Sequence, residues 1–389
     1  MSAAARVLCL NSGSSSLKLA LYDDETRLAS VTVEQIGSDG GRVTTRDDAH
    51  RVRSEVTGMF ADTRAALRVA LSALDDARLP SPDAVGHRIV HGGLDHAAPE
   101  PVTAGLVAAL RALTPFAPLH LPAAIAGIEA VTARFAGVPQ VACFDTAFHR
   151  RMPEVSQRLP LPRALWAKGI RRYGFHGLSY EYIVSTVGAA TLGRAVIAHL
   201  GNGASMAAVR DGLPVDTTMG FTPTGGFMMG TRSGDLDPGI LVHLLAHEAY
   251  DAAALERLVD YEAGLLGVSG ISADVKTLLA VRAREPAAAE AVELFCHQLR
   301  KHVGALAAVL GGIDTLVFTG GIGEHAAPLR WEACLGLQHL GIHLDPERNA
   351  RHEPVISADE SVCTVRVVPT DEDLMIARHT RTVLGARTG

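Results

Sequence analysis

Two hydrophobic periods alternate along this chain. Short, nearly continuous apolar runs at 139–144, 195–200, 315–319 and 364–368 predict buried strands. Over 60–76, 121–135, 238–247, 287–310 and 371–384, apolar residues instead return every three or four positions, which is the spacing of helices laid against a sheet. Strand and helix patterns that interleave in this way predict an α/β fold.

One pattern occurs twice. VLCLNSGSSSLKLALYD (7–23) and AVIAHLGNGASMAAVRD (195–211) are each an apolar strand, a turn of Gly, Ser and Asn, a second strand and an Asp. An offset of 188 sets Gly13 on Gly201 and Asp23 on Asp211, and predicts two duplicated domains. Any two hairpins share part of such a pattern. The weight comes from the turns, whose backbone N–H groups and small hydroxyls suit a phosphate. A chain of 389 residues is also long enough for two cores with a cleft between them.

Charge and cysteine usage narrow the partners. A formal net charge of −6 gives no basic surface for nucleic acid or an anionic membrane, so any anion site is local. The five cysteines are scattered and form no C-x-x-C pair, which fits a reducing compartment better than a disulfide framework or a zinc site. The apolar start turns polar too early for a signal peptide, and no run approaches the roughly 20 residues that span a bilayer. A cytoplasmic, soluble protein is expected.

Several residues then stand out chemically. Lys18 adds a fixed charge beside the 13–16 turn, and Asn11 can reach a metal or its water, although G-x-x-x-x-G-K-[ST] is absent. Arg88 lies in an apolar strand and needs an anion, as a substrate or as an ordinary ion pair. His87 and His91 flank it, but a strand splays them apart, so they are not read as metal ligands. Asp145 ends the run 141–144, where α/β sheets place ligands, and is the first choice for organising Mg²⁺; capping of the next turn is the plainer alternative. His176 sits between glycines. Arg232 occupies a loop before a helix that Asp237 caps and Pro238 begins.

The run 316–324 reads as strand, glycine turn and helix start, open to close approach by a nucleotide. Gly321, Gly323 and Ala326 also spell G-x-G-x-x-A with Asp345 downstream, a weak dinucleotide signature this late in the chain. His243 and His247 share a helix face without the H-E-x-x-H pattern and are read as surface or packing residues. No serine or cysteine nucleophile has a partnered base.

Nine segments in order resemble the acetate kinase family: NSGSSSLK (11–18), GHRIVHGG (86–93), FDTAFH (144–149), RYGFHG (172–177), HLGNGAS (199–205), MGTRSGDLDPG (229–239), GVSGISAD (267–274), GIGE (321–324) and PTDEDLMIAR (369–378). That family belongs to the acetate and sugar kinase, Hsp70 and actin group. The resemblance implies two duplicated ribonuclease H-like (actin-like ATPase) domains with a cleft between them, residues 1–147 with 373–389 and residues 148–372, and a homodimer joined through the second. It implies reversible phosphoryl transfer from ATP to acetate, giving acetyl phosphate and ADP, with Mg²⁺ or Mn²⁺.

By the same resemblance, Arg88 and Arg232 grip the carboxylate and the transferring phosphoryl group, while His176 hydrogen-bonds that group in flight. Asp145, Asn11 and Glu372 position the metal. Val90, His120, Leu119, Phe175 and Pro223 form the acyl pocket. Ser14, Ser16, Lys18, the turn His199, Leu200, Gly201, Asn202 and Gly203, the run Asp274, Val275 and Lys276, and the run Gly321, Ile322, Gly323, Glu324 and His325 hold the nucleotide. A carboxylate acceptor is already ionised near neutral pH and needs no general base. Direct in-line transfer is expected, with the domains closing to exclude water.

The chain departs from the family pattern at Leu121, Tyr180, Val275, Lys276, His325 and Asp371, and the changes at 275, 276 and 325 bear on the choice of nucleotide. Propionate or butyrate kinases share every charged residue named and differ only in room around the acyl group. A non-catalytic nucleotide clamp of the Hsp70 or actin type binds ATP without needing Arg88 and Arg232.

Overall fold

The computed structural model describes residues 6–13, 16–37, 40–76, 79–118 and 120–385. These divide into two compact units, Met1–Ala147 with Asp371–Gly389, and Phe148–Thr370. The return to the first unit comes at Asp371, two residues before the expected boundary, because Asp371 caps the helix Glu372–Gly385 by accepting from Leu374 N at 2.9 Å.

The first unit is built on eight strands: β1 (Arg6–Ser12), β2 (Leu17–Asp23), β3 (Thr26–Glu34), β4 (Arg42–Asp47), β5 (Val52–Thr57), β6 (Ala84–Ile89), β7 (Glu100–Pro101) and β8 (Gln140–Phe144). Their order across the sheet is β5-β4-β3-β2-β1-β6-β8-β7, with an antiparallel meander from β1 to β5 and parallel pairing of β1, β6 and β8. The helix predicted over 60–76 begins at Thr63, since Asp62 accepts from Ala65 N at 2.7 Å and starts it. Its apolar face joins Leu8, Leu19, Val31 and Val85 in one core. The C-terminal helix reaches the sheet at Gly86, where a Cβ would lie 2.4 Å from Ile376 Cγ2. Glycine there permits the contact.

The second unit carries β9 (Arg194–Leu200), β10 (Ala204–Arg210), β11 (Leu213–Thr217), β12 (Thr315–Thr319) and β13 (Thr364–Val367) in the order β11-β10-β9-β12-β13. This repeats β3-β2-β1-β6-β8 with the same directions: two antiparallel pairings, then parallel β9, β12 and β13. The duplication extends to irregularities. The register shift at Leu21/Tyr22 recurs at Ala208/Val209, and the left-handed turn aspartates are Asp24 (φ 50°) and Asp211 (φ 52°). Asp24, rather than Asp23, is thus the counterpart of Asp211. The offset falls from 188 at β1 and β9 to 187 at β2 and β10, because the second hairpin turn is one residue shorter. Among the described residues no helix is long and apolar enough to cross a membrane.

Candidate active site

In the first unit the charged residues collect where β1, β6 and β8 end. The strand register sets Leu10 beside His87 and Arg88 beside Cys143, so Asn11, Arg88 and Asp145 lie on neighbouring strand ends. Arg88 donates from Nε and Nη2 to Oδ2 of the fully buried Asp145, at 2.9 and 2.6 Å, and from Nη1 to Asn11 Oδ1 at 2.8 Å. Asn11 Nδ2 in turn donates to Glu372 Oε2 at 2.9 Å and Asp373 Oδ1 at 3.4 Å. Burial opposes the Arg88 charge, but Asp145, Glu372 and Asp373 outweigh it and hold the guanidinium above its ordinary pKa. Arg88 is a fixed cation.

Asn11, Asp145 and Glu372 offer oxygen atoms, the donors that Mg²⁺ takes. That ion is ordinarily held by one or two carboxylates, with substrate phosphates and water completing the shell. No group of three or more His, Cys, Asp and Glu side chains converges as a metal cage among the described residues. The donor set fits a cation shared with phosphates. Lys18 is exposed on β2, and Ser16 accepts from Gly13 N through its carbonyl at 2.8 Å. Val90 and His120 are buried in this unit. Ser14 and Leu119 lie outside the described residues. His87 hydrogen-bonds Gln140 at 2.7 Å and His91 accepts from Gly93 N at 2.9 Å, so their polar contacts lie within the protein.

The second unit assembles a different set around the β9–β10 hairpin. His199 and Ser205 are direct partners across that hairpin. His176 reaches between them: its Nδ1 lies 2.8 Å from Ser205 Oγ, and its ring stacks on His199 with centroids 4.3 Å apart. The backbone of His176 is left-handed (φ 57°), an uncommon state for a residue with a Cβ, and it immediately precedes the helix Gly177–Val187. Its neighbour Phe175 is held by His149, whose Nε2 bonds the Phe175 carbonyl at 2.9 Å. Burial pushes His149 down to about 4, so near neutral pH it is an uncharged donor.

Gly203 marks where this set converges. A Cβ there would lie 3.1 Å from Arg232 Nη1 and 3.5 Å from His176 Nε2, so the guanidinium and the imidazole both point at a bare backbone. Arg232 also donates from Nη1 to the Pro223 carbonyl at 3.3 Å. The Gly201–Gly203 turn is closed by Gly201 N to Gly203 O at 3.1 Å, and leaves Asn202 exposed.

Asp274 spends its carboxylate as the cap of the helix Val275–Val281, accepting from Lys276 N and Thr277 N, while Val275 and Leu200 are turned into the core. Lys276 and His325 are exposed. In the glycine segment the conformationally demanding residue is Gly320 (φ 76°), where a Cβ would lie 2.8 Å from the Leu200 carbonyl oxygen; Gly321 has open space around it. Glu324 Oε1 accepts from Gly320 N and Thr370 N at 2.9 and 3.1 Å. Its carboxylate braces the loop. Ile322 is half-buried and Gly323 buried on the same short helix, Gly320–His325.

Sequence reading did not assign roles to Ser179, Tyr180, Ser205 or Arg330. Ser205 was within reach, because a two-residue period on a hairpin puts it opposite His199. Arg330 is fully buried yet donates to the carbonyls of Gly323 and Glu324, at 2.8 and 2.9 Å, and to Asn349. No periodicity signals a buried arginine satisfied by backbone.

The family model described as Acetokinase family matches residues 6–378. An acetate kinase of Rhodopseudomonas palustris is 46% identical over 390 aligned positions, covering 96% of this chain and 97% of that protein. Among solved structures, the acetate kinase of Porphyromonas gingivalis is similar with a TM-score of 0.85 at 38% identity, covering 98% of this chain and 100% of that one. A propionate kinase from Francisella tularensis gives a TM-score of 0.89 at 34% identity, with 97% and 100% covered.

Proposed function

The chain belongs to the acetokinase family, and from that premise we propose that it moves a phosphoryl group reversibly between ATP and acetate, yielding acetyl phosphate and ADP. The observation that carries this reading is the convergence of Arg232 and His176 on the bare backbone of Gly203. Phosphoryl transfer asks a protein mainly to position the reactants and to neutralise charge on the equatorial oxygens. Arg232 supplies a cation for those oxygens and His176 a hydrogen bond. Arg88 holds the carboxylate, with Val90, His120, Leu119, Phe175 and Pro223 around its methyl group.

Asn11, Asp145 and Glu372 hold Mg²⁺, directly or through water, and the ion neutralises phosphate charge when bound. Ser14, Ser16, Lys18, the 199–203 turn and the 274–276 and 321–325 segments hold the nucleotide. The enzyme works in the cytoplasm, in keeping with five cysteines that are all buried thiols.

We infer a homodimer joined through the second unit. Its helix Pro238–His247 buries none of its residues, although Ile240, Val242 and Leu245 are 46, 65 and 50% exposed. An apolar helix of that kind suits a second copy of the chain.

The test is to incubate the protein with ATP and Mg²⁺ and, separately, acetate, propionate, butyrate or glycerol, and to trap acyl phosphate with hydroxylamine. Hydroxamate formed best from acetate, and largely lost in Arg232→Ala, is expected. The likeness to a propionate kinase makes propionate the rival acceptor, and faster turnover of propionate would replace acetate in this reading.

A further inference from the structure

We propose that Tyr180, acting through Ser205, holds His176 as the neutral imidazole with its proton on Nε2, so that His176 serves the reaction as a hydrogen-bond donor rather than as an acid. The proposal rests on the phosphoryl-transfer reading above for its catalytic consequence, but not for the tautomer itself.

The geometry is a relay of three polar groups, all essentially buried. Tyr180 Oη lies 2.5 Å from Ser205 Oγ, and Ser205 Oγ lies 2.8 Å from His176 Nδ1. Tyr180 and Ser205 have no exposed surface and His176 is 8% exposed. His176 and Tyr180 bracket the first turn of one helix, with Tyr180 N donating to the His176 carbonyl at 3.1 Å, so the i, i+4 spacing brings both side chains to the same β10 residue.

Direction follows from acidity. A serine hydroxyl carries a single proton, and a phenol is the stronger acid of the two hydroxyls, so Tyr180 donates to Ser205. The Ser205 proton then goes to Nδ1 of His176. An imidazole that accepts at Nδ1 carries its proton on Nε2 when neutral. Nε2 is the nitrogen that lies 3.5 Å from where a Gly203 Cβ would sit, next to Arg232.

Three neighbours keep the ring neutral. The helix beginning at Gly177 places its positive end at His176, which disfavours an imidazolium. The Arg232 guanidinium faces the same Gly203 position and repels a second cation. The stacked ring of His199 makes a paired double charge costly, and its own Nδ1 is bonded to Ser179 Oγ at 2.8 Å. The Tyr180 phenol gives the relay a proton of defined direction, whereas a histidine could donate or accept.

The test reads the tautomer directly. Protein labelled with ¹⁵N-histidine is examined without substrates at pH 7.5 by long-range ¹H–¹⁵N correlation, with the His176 signals assigned from His176→Gln. A protonated Nε2 and an unprotonated, hydrogen-bonded Nδ1 are expected in the wild type. In Ser205→Ala and Tyr180→Phe that pattern gives way to a mixture of tautomers, and Ser205→Thr restores it. In the hydroxamate assay, kcat falls about tenfold in Ser205→Ala while both KM values stay within about twofold, as suits a transition-state contact. A wild-type His176 protonated at Nδ1 overturns the proposal. So does an unchanged tautomer in both variants. If the wild type makes no acyl phosphate from any acid, the reaction reading fails while the spectra still decide the tautomer.

Discussion

Arg88 directs two of its nitrogens, Nε and Nη2, at a single oxygen of Asp145. A buried carboxylate that takes both donors on one atom fixes the plane of the guanidinium, and the third nitrogen is fixed by Asn11 at 2.8 Å. Lysine keeps the charge but has no planar fork to satisfy Asp145 and Asn11 together. Arg88→Lys should therefore lower kcat/KM for acetate by roughly a hundredfold, a loss of about 2.7 kcal/mol of transition-state stabilisation. Asp145→Ala, which strands the buried cation, should also cost about 3–5 kcal/mol of folding stability. Steady-state kinetics and urea denaturation separate the two effects.

Gly203 offers a sharper test, because its substitution is predicted to act by crowding rather than by loss of charge. The new methyl of Gly203→Ala would sit 3.1 Å from Arg232 Nη1, the far end of a long side chain that can yield by a few tenths of an ångström. Folding stability should change by less than about 1 kcal/mol, while kcat falls at least about tenfold as Arg232 and His176 are pushed apart. A large drop in thermal stability with kcat preserved would argue that Gly203 serves the hairpin instead.

Much of this was legible in sequence, for identifiable reasons. The duplicated strand–turn–strand pattern at 7–23 and 195–211 is visible because strands buried on both faces read as nearly continuous apolar runs around a polar turn, and five strands of the first sheet repeat the order of the second. The place of Asp145 at the end of β8 was legible because it follows a continuous apolar run. What stayed hidden depends on tertiary contact. Asp211 pairs with Asp24 only once the shorter second turn is known, and Gly320 rather than Gly321 carries the strained backbone because of where Leu200 passes. The hydroxyl relay of Tyr180 and Ser205 joins a helix to a strand 25 positions away, and no local period encodes that.

Two buried histidines should make stability pH-dependent. Burial holds His87 and His149 each down to about 4, against an ordinary value near 6.5. The unfolded chain therefore binds more protons between those values, so the neutral rings contribute stability that is complete above about pH 6.5 and is lost as pH falls toward 4. Each accounts for on the order of 3 kcal/mol over that window. Urea denaturation at pH 7.5, 6 and 5 should show a steep decline, and His87→Gln should make the decline shallower. A slope unaltered by that substitution would mean that His87 is not protonated on unfolding.

The exposed helix Pro238–His247 predicts an assembly. Replacing Val242 and Leu245 by Asp places two charges on its apolar face, where they are harmless in water but costly in an interface. Sedimentation velocity should show a dimer for the wild type and a monomer for the double variant. A monomeric wild type at micromolar concentration would remove the inference.

Arg330 tests whether a residue outside the proposed site sets the segment proposed to hold the nucleotide. Its side chain has no exposed surface and ties the carbonyls of Gly323 and Glu324 to Asn349, while burial lowers its pKa to about 10. A cation is retained there because the carbonyls of Gly323 and Glu324 end a short helix and take their side-chain donor from it. Arg330→Met fills most of the volume but leaves those carbonyls without donors, which should cost about 2–4 kcal/mol in stability and loosen the 320–325 segment. Loosening should raise KM for ATP several-fold and leave KM for acetate nearly unchanged, since the carbonyls that Arg330 holds belong to the segment proposed for the nucleotide and not to the proposed acyl pocket. Equal rises in both KM values would point instead to a general weakening of the second unit, and a KM for ATP that did not move would remove the 321–325 segment from nucleotide binding.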